Sequence, residues 1–448
     1  MRIPDSLCLL RLLPLLAAGG VALLPGMARA KEDAASKERD DAFFALVDKG
    51  GDLPEDRIYP EGRIFPYMGY SGKNKQDAAS GFSVGGPHYG PQSGQKDKLA
   101  SAKEAGLSYV YGIGLEGGFT RTPPIQFTAD SLRKEIRRQV LEVAADPAVA
   151  WWYVRPEELR MWHANEKEYL GILTETIRAA DPRKRPIWMY DPNHRTRAAL
   201  VTTGEYLDII GKGSYVNLAG FRDDRVWVRW SMEQETGACR DLEAKDGRKR
   251  TPILVPLLAK DPQDPALDPM IPAWIRHDVY LGLISGAKGV AIWSLFPRGE
   301  VRRTFQTHYD IYAKIARELT GHKALGQVFL FGEDRHDLTV KQTSGPKTVT
   351  LFTGPRNKLE EGTMSEEEKR RHTHEYPAVA AREIVFSGNH YLFLCNSSRA
   401  PVSCEITGFP AGKIRVEDLF AGKPFAPSSG VLQIALKSWG AQAIRVSR

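Results

Sequence analysis

Between residues 64 and 296 the chain alternates short, largely apolar runs, the fourth of them continuously so, with stretches of helical period, and this alternation restricts the fold more than any other feature. The runs span residues 64–70, 82–86, 108–114, 149–155, 186–190, 207–213, 252–258 and 289–296. Runs of this length that are apolar throughout read as strands buried on both faces, the pattern of a parallel sheet covered by helices. Amphipathic helices flank the fourth run at residues 128–146 and 163–181, and a further helix is expected from about Phe305 to Leu319. Eight strands with intervening helices over residues 61–321 predict an α/β fold, a (β/α)8 TIM barrel. The helix between the first two strands is faint, which leaves a seven-stranded or distorted barrel as the alternative.

Beyond Gly321 the period changes from helical to alternating. Nine short segments, the first of them QVFLFGED, are separated by Gly, Pro, Asn and Ser turns and predict a small all-β antiparallel sandwich over residues 322–448. A charged insertion near residues 356–376 interrupts it and reads as a solvated loop, His372 and His374 included. No internal repeat is visible.

Residues 1–30 carry Arg2 and Arg11, an apolar run to about Leu24 and the small-x-small pattern Ala28-Arg29-Ala30, which together read as a secretory signal peptide. Arg11, Pro14 and Gly19-Gly20 break the apolar run, so stable membrane insertion is not expected after cleavage. A polar segment, residues 31–60, then precedes the barrel. Removing residues 1–30 takes away three arginines and one aspartate and lowers the formal charge from +7 to +5. This mild charge is spread over helices and loops, which disfavours a nucleic-acid partner and permits an anionic substrate. Export places Cys239, Cys395 and Cys404 in an oxidising compartment. Cys395 and Cys404 flank NSSRAPVS and are expected to face each other across a hairpin as a disulfide, leaving Cys239 as a single buried thiol in a helix. These spacings make no zinc site, no metal-ligating histidine pair is present, and no cofactor is expected.

In a barrel the chemistry sits at the carboxyl ends of the strands. Read in order, those ends offer Tyr70, His88, Glu116, Glu157 with Glu158, Asp191 with Asn193 and His194, Lys212 with Tyr215, Lys260 with Asp261, and Trp293 with Arg298. Carboxylates supply acid and base, and aromatic faces cover the C–H faces of pyranose rings, so this rim predicts a carbohydrate substrate. Trp152, Tyr153 and Arg155 on the fourth strand join the binding candidates. Strand alternation sends only one of Trp151 and Trp152 into the barrel, and it puts Arg155 on the side of Glu157, where its charge favours the ionised carboxylate. Trp293 is the better platform, while Trp227, Trp230 and Trp274 read as helix packing.

The chain resembles the glycoside hydrolase-like TIM barrels of clan A that carry a C-terminal β-sandwich. Trp152-Tyr153 and Glu157 match the fourth-strand signature Trp-Tyr-x-x-Asp-Glu-Pro, with Pro156 in place of its Asp and Glu158 in place of its Pro, and Asp146-Pro147 matches the His/Asp-Pro that ends the preceding helix in that group. AADPRKRPIWMYDPN is similar to the approach to the fifth strand in that group, and GLISGAKGVAIWSLF to the approach to the eighth; the likeness covers most of residues 60–320. It implies a general acid at Glu157 and a second carboxylate as nucleophile or base. The retaining members place that partner at the end of the seventh strand, whereas this chain reads Leu257-Leu258-Ala259-Lys260-Asp261 there. Asp261 can substitute if its loop bends inward. Alternatively Glu116 or Asp191 serves as base of an inverting pair, whose carboxylates stand roughly 6.5 to 9.5 Å apart rather than about 5 Å.

Each candidate also has a plain structural reading. Glu157 and Glu158 suit the start of a helix, Asp191 before Pro192 suits a turn, Glu116 is a loop acid, and His88 and His194 suit loop hydrogen bonds. Three activities fit: a secreted glycosidase, a barrel that binds carbohydrate without cleaving it, and a polysaccharide lyase using a tyrosine, of which Tyr111, Tyr153, Tyr190 and Tyr215 are at hand, with a His or Lys near a basic cleft. Nothing in the sequence sets the oligomeric state.

Overall fold

The computed structural model describes residues 53–216, 225–258, 260–299, 301–321 and 324–447. The expected signal peptide and most of the polar segment after it lie outside these residues. All eight expected strand positions are occupied. β1 (Tyr67–Gly69), β2 (Val84–Gly85), β3 (Ser108–Gly114), β4 (Val149–Arg155), β5 (Ile187–Asp191) and β6 (Ile209–Ser214) come first. Two short pieces, β7 (Thr251–Pro252) and β8 (Val255–Pro256), share the seventh position, and β9 (Val290–Ile292) is the eighth. β2 to β6 pair in parallel in chain order, and β6 takes both β7 and β8.

The circle closes through β9. Trp293 N donates to Pro256 O at 2.9 Å, β9 pairs in parallel with β1, and Ser83 N donates to Tyr67 O at 3.1 Å. Helices follow the strands: α1 (Asn74–Ala79), α2 (Gln95–Glu104), α3 (Ala129–Val143), α4 (Ala164–Ala180), α5 (Arg197–Gly204), α6 (Trp227–Asp246), α7 (Ile271–Ile284) and α8 (Phe305–Thr320). The helix that was faint in the sequence is α1, only six residues long. None of the described helices is long and apolar enough to cross a membrane.

Strand parity builds the interior. Met68, Val110, Trp151, Tyr153, Trp188, Tyr190 and Val255 point inward and form one buried cluster. Tyr111, Trp152, Val154 and Met189 point outward against the helices. Cys239 lies buried in α6, as expected.

The C-terminal part holds a six-stranded antiparallel sheet and a three-stranded one, with Leu394, Ile406, Ile434 and Ile444 packed between them. The outer face of the larger sheet covers α7, where Tyr280 stacks on Phe393 at 6.4 Å. Two expectations fail here. The QVFLFGED segment is mostly helical, α9 (Leu325–Phe331), because Leu325, Val328 and Phe329 recur at helical spacing and bury one face. The charged insertion is not a loop throughout: it contains α10 (Arg356–Glu360) and α11 (Glu366–His372), the latter started by a Ser365/Glu368 capping box.

Cys395 and Cys404 are free thiols. Cys395 lies on a strand of the six-stranded sheet opposite Ala380 and Ala441, whereas Cys404 lies on the three-stranded sheet opposite Gln342 and Ile434. The segment between them crosses from one sheet to the other instead of turning back as a hairpin, so the expected disulfide does not form.

Candidate active site

The carboxyl end of β4 delivers Glu157 into the barrel mouth. The chain leaves the strand at Arg155, passes a cis Arg155–Pro156 peptide and places Glu157 half-buried. The phenol of Tyr153 donates to Glu157 Oε2, and the phenol of Tyr89 donates to Oε1 at 3.3 Å. Trp293 Nε1 in turn donates to the Tyr89 oxygen at 2.6 Å, and the hydroxyls of Tyr70 and Tyr153 lie 3.1 Å apart. Strands β1, β4 and β9 and the loop after β2 therefore converge on one carboxyl group.

Burial pushes the Glu157 carboxyl up to about 7, the nearby Glu158 charge adds to this, and the bonds from Tyr153 and Tyr89 and the charge of Arg155 act against it. Burial, followed by the charge of Glu157, holds the Tyr153 phenol well above its ordinary range, so it stays a donor. At neutral pH Glu157 is thus divided between its acid and its ionised form, the condition for proton transfer in either direction.

Glu158 turns outward and is exposed, with φ 63°. A non-glycine residue seldom adopts this conformation. The surroundings hold it: Glu158 N donates to Tyr190 O at 3.1 Å, and Arg195 reaches the carbonyls of Glu158 at 3.5 Å and Leu159 at 2.9 Å. Both acids line a cavity of about 320 Å³ whose walls are the loops 117–121 and 156–160 and the side chain of Glu166. That volume suits one sugar-sized group.

Several other candidates also belong to this mouth. Tyr70 is buried beneath it and stacks on Tyr89, and Tyr215 stacks between Tyr190 at 6.1 Å and Trp293 at 5.6 Å. Trp293 is half-buried, and the Arg298 guanidinium lies 4.2 Å over its ring while donating to Leu258 O at 2.7 Å. Arg155 leans across Gly112, where a Cβ would come within 2.9 Å of Arg155 Cδ. Its guanidinium binds Gly90 O and Gln92 Oε1 and so fixes the loop that carries Tyr89. Its charge favours the ionised Glu157, but less than the bonds from Tyr153 and Tyr89 do.

Other candidates lie elsewhere. Asp191 follows the inward Tyr190 and therefore points outward, fully buried; Thr203 donates to it at 3.0 Å and Arg195 approaches to 3.7 Å. Trp152 also points outward, donating from Nε1 to Asp181 at 2.9 Å beneath α4, so it presents no face to a substrate. Asp261 accepts from the backbone of Arg302, Arg303 and Thr304 and from the Thr304 hydroxyl at 2.6 Å, and anchors the loop that starts α8. Its slight burial is outweighed by these bonds, which pull the carboxyl down to about 2. Glu116 is exposed and accepts from Gln92 N, away from the cavity wall.

His88 is buried with its ring nitrogens 3.0 and 3.1 Å from the carbonyls of Gly86 and Gly72. Asn193 is buried too and pins Tyr215 N and Trp227 Nε1, whereas His194 is exposed. Among the described residues, one set able to hold a cation is Asp337, Glu383 and His390 in the C-terminal sheets, where His390 Nδ1 already bonds Glu383 at 2.7 Å. The sequence reading missed Tyr89. Its only signal was an aromatic at the tip of the Gly-Pro-His-Tyr-Gly-Pro turn after β2.

No family model and no curated protein matches the sequence. Solved structures of similar outline include an endoxylanase of glycoside hydrolase family GH30 from Clostridium papyrosolvens, with 9% identity and a TM-score of 0.48, covering 86% of this chain and 96% of that one. An Anoxybacillus α-amylase shares 10% identity with a TM-score of 0.48, covering 89% and 94%. A bifunctional glucanase-xylanase from a metagenome library gives 10%, 0.48, 86% and 96%.

Proposed function

We propose that the protein is a secreted glycoside hydrolase of poly- or oligosaccharides, with Glu157 as general acid and Glu158 as the carboxylate that activates water. The supporting observation is the convergence of the Tyr153 and Tyr89 phenols on Glu157 beside a cavity that Glu157 and Glu158 both line. Glu157 passes its proton to the departing glycosidic oxygen as that oxygen's bond to the anomeric carbon breaks. Water attacks the same carbon, and its proton goes to Glu158, leaving a new reducing end and an inverted anomeric centre. Glu158 takes the base role because Asp191 and Asp261 are committed to structural bonds and Glu116 stands off the cavity wall. The exposed ring of Tyr89 and the half-buried Trp293 offer apolar surface for a sugar ring, with Tyr215 packed beneath between Tyr190 and Trp293. The pattern of residues 1–30 supports export.

A carbohydrate-binding barrel without hydrolysis is the second reading. It is favoured by the seventh-strand end, where Leu257 and Leu258 stand in place of an acid facing Glu157. Reducing-end release from a panel of neutral and acidic polysaccharides tests both readings. Release that falls about a hundredfold or more in Glu157→Gln supports the hydrolase. Binding without release favours the silent barrel, and an ultraviolet-absorbing unsaturated product reveals a lyase.

A further inference from the structure

We infer that Trp162 is the stacking platform of an outer saccharide subsite, so that the substrate is an oligosaccharide chain running from the cavity at Glu157 and Glu158 out across the loop after β4. This rests on the proposed carbohydrate reading and adds to it the length of the substrate and a residue that reads it.

Trp162 is 66% exposed, an unusual state for the largest apolar side chain. Isolated exposure of this kind often means a mobile loop, but this loop is fixed. Glu166 accepts from Arg160 N at 2.7 Å and from Arg160 Nε at 2.8 Å, and His163 N donates to Arg160 O at 2.9 Å. Arg195, itself buried, lies 5.0 Å from the indole centroid and covers one face, while its other end holds the carbonyls of Glu158 and Leu159. One guanidinium thus ties the indole to the backbone of Glu158 and Leu159 in the cavity wall. The His163 ring lies tilted at 6.0 Å from the indole, and two thirds of Trp162 stays exposed to solvent. A flat apolar surface already held in place gains most when the ligand is also flat and presents C–H groups, as a pyranose ring does, because little side-chain freedom is lost on binding.

The neighbourhood supports a track more than a single pocket. Tyr89, Trp162 and Phe296 are exposed large aromatics, and each sits on a loop that follows the carboxyl end of a barrel strand. A cavity of about 320 Å³ accommodates roughly one sugar unit, so only a longer ligand reaches the exposed faces of aromatics beyond its walls.

The experiment uses the full chain in a Glu157→Gln background, which removes turnover, and titrates it with xylo-, cello- and malto-oligosaccharides from disaccharide to hexasaccharide by calorimetry. Affinity is expected to rise with chain length, and Trp162→Ala is expected to weaken the hexasaccharide about tenfold while weakening the disaccharide much less. Trp162→Phe restores part of the loss, a rescue that a folding defect would not give, and thermal melting of each variant checks the fold. With Glu157 intact, the same substitution raises KM on long chains more than it lowers kcat. Equal affinity of parent and Trp162→Ala for every length overturns the subsite even if Glu157-dependent hydrolysis is found. Length-dependent binding that needs Trp162, without any reducing-end release, supports the subsite and removes only the hydrolase. Absence of binding to all three series overturns the subsite.

Discussion

The indole Nε1 of Trp293 donates to the phenol oxygen of Tyr89 at 2.6 Å, and that phenol donates onward to Glu157 at 3.3 Å. Two aromatic residues 204 positions apart in the chain are thereby placed on one acid. A donor relay of this kind stabilises the ionised form of its acceptor, so the position of Glu157 near neutrality reflects burial that the phenols only partly offset.

Tyr153→Phe removes the stronger of the two phenol bonds to Glu157. A hydrogen bond to a charged group contributes about 1.5–3 kcal/mol, so its loss raises the Glu157 pKa by about one unit or more. The acid role requires the protonated form, so activity falls as pH rises through about 7. The expected result is an alkaline limb of kcat/KM displaced to higher pH in Tyr153→Phe, and displaced less in Tyr89→Phe. A limb that stays in place in both variants would remove Glu157 from the acid role.

Asp191 gives a pH signature in stability. Burial, against the charge of Arg195 and the Thr203 bond, raises its carboxyl from 3.8 to about 7. Between those values the folded protein keeps a proton that the unfolded chain has released, so this residue's contribution to stability falls as pH rises. Thermal midpoints of Asp191→Asn are expected to decline less than those of the parent between about pH 4 and pH 7. Parallel curves for the two proteins would mean that Asp191 is ionised throughout.

The strand positions were legible because each run is largely apolar, and the split seventh strand, Thr251–Pro252 with Val255–Pro256, departs from the expected residues 252–258 by one residue at its start. The position of Glu157 at the barrel mouth was legible from its place after an aromatic strand. Asp191 was misassigned although its parity was readable: Trp188 and Tyr190 are large and inward, so the next residue must turn to the helices. The same rule placed one of Trp151 and Trp152 inside, and Trp151 is the one. Tyr89 was not legible, because its position depends on the grip of Arg155 on Gly90 and Gln92, a contact between loops that no local pattern encodes. The segment at 325–331 shows how four adjacent apolar residues fit either period until packing against the barrel decides.

Asp261 is an anchor, and its replacement should separate stability from catalysis. It accepts from three successive backbone amides ahead of α8, so Asp261→Asn is expected to cost about 1–2 kcal/mol in urea unfolding. Its lowered pKa makes this stabilisation present above about pH 4 and lost as pH falls toward 2. Reducing-end release should fall far less than in Glu157→Gln. A loss of turnover equal to that of Glu157→Gln, with the melting point intact, would return Asp261 to the catalytic pair.

The cysteines yield a prediction that turns on sheet topology. Cys239, Cys395 and Cys404 are all buried, and burial raises each thiol above its ordinary range, so the reactive thiolate is scarce at neutral pH. An aromatic disulfide reagent should therefore label them slowly in the folded protein and quickly in denaturant, with no prior reduction needed. Dithiothreitol should leave the melting temperature unchanged, since removing a native disulfide typically costs about 2–5 kcal/mol and no such bond links Cys395 to Cys404. Joining them would require the segment between them to stay within one sheet, yet Asn396 bonds the carbonyls of Ala400 and Lys437 as the chain crosses to the other. A melting point that drops on reduction, together with a peptide linking Cys395 to Cys404 by mass, would show that the crossing is not the native path.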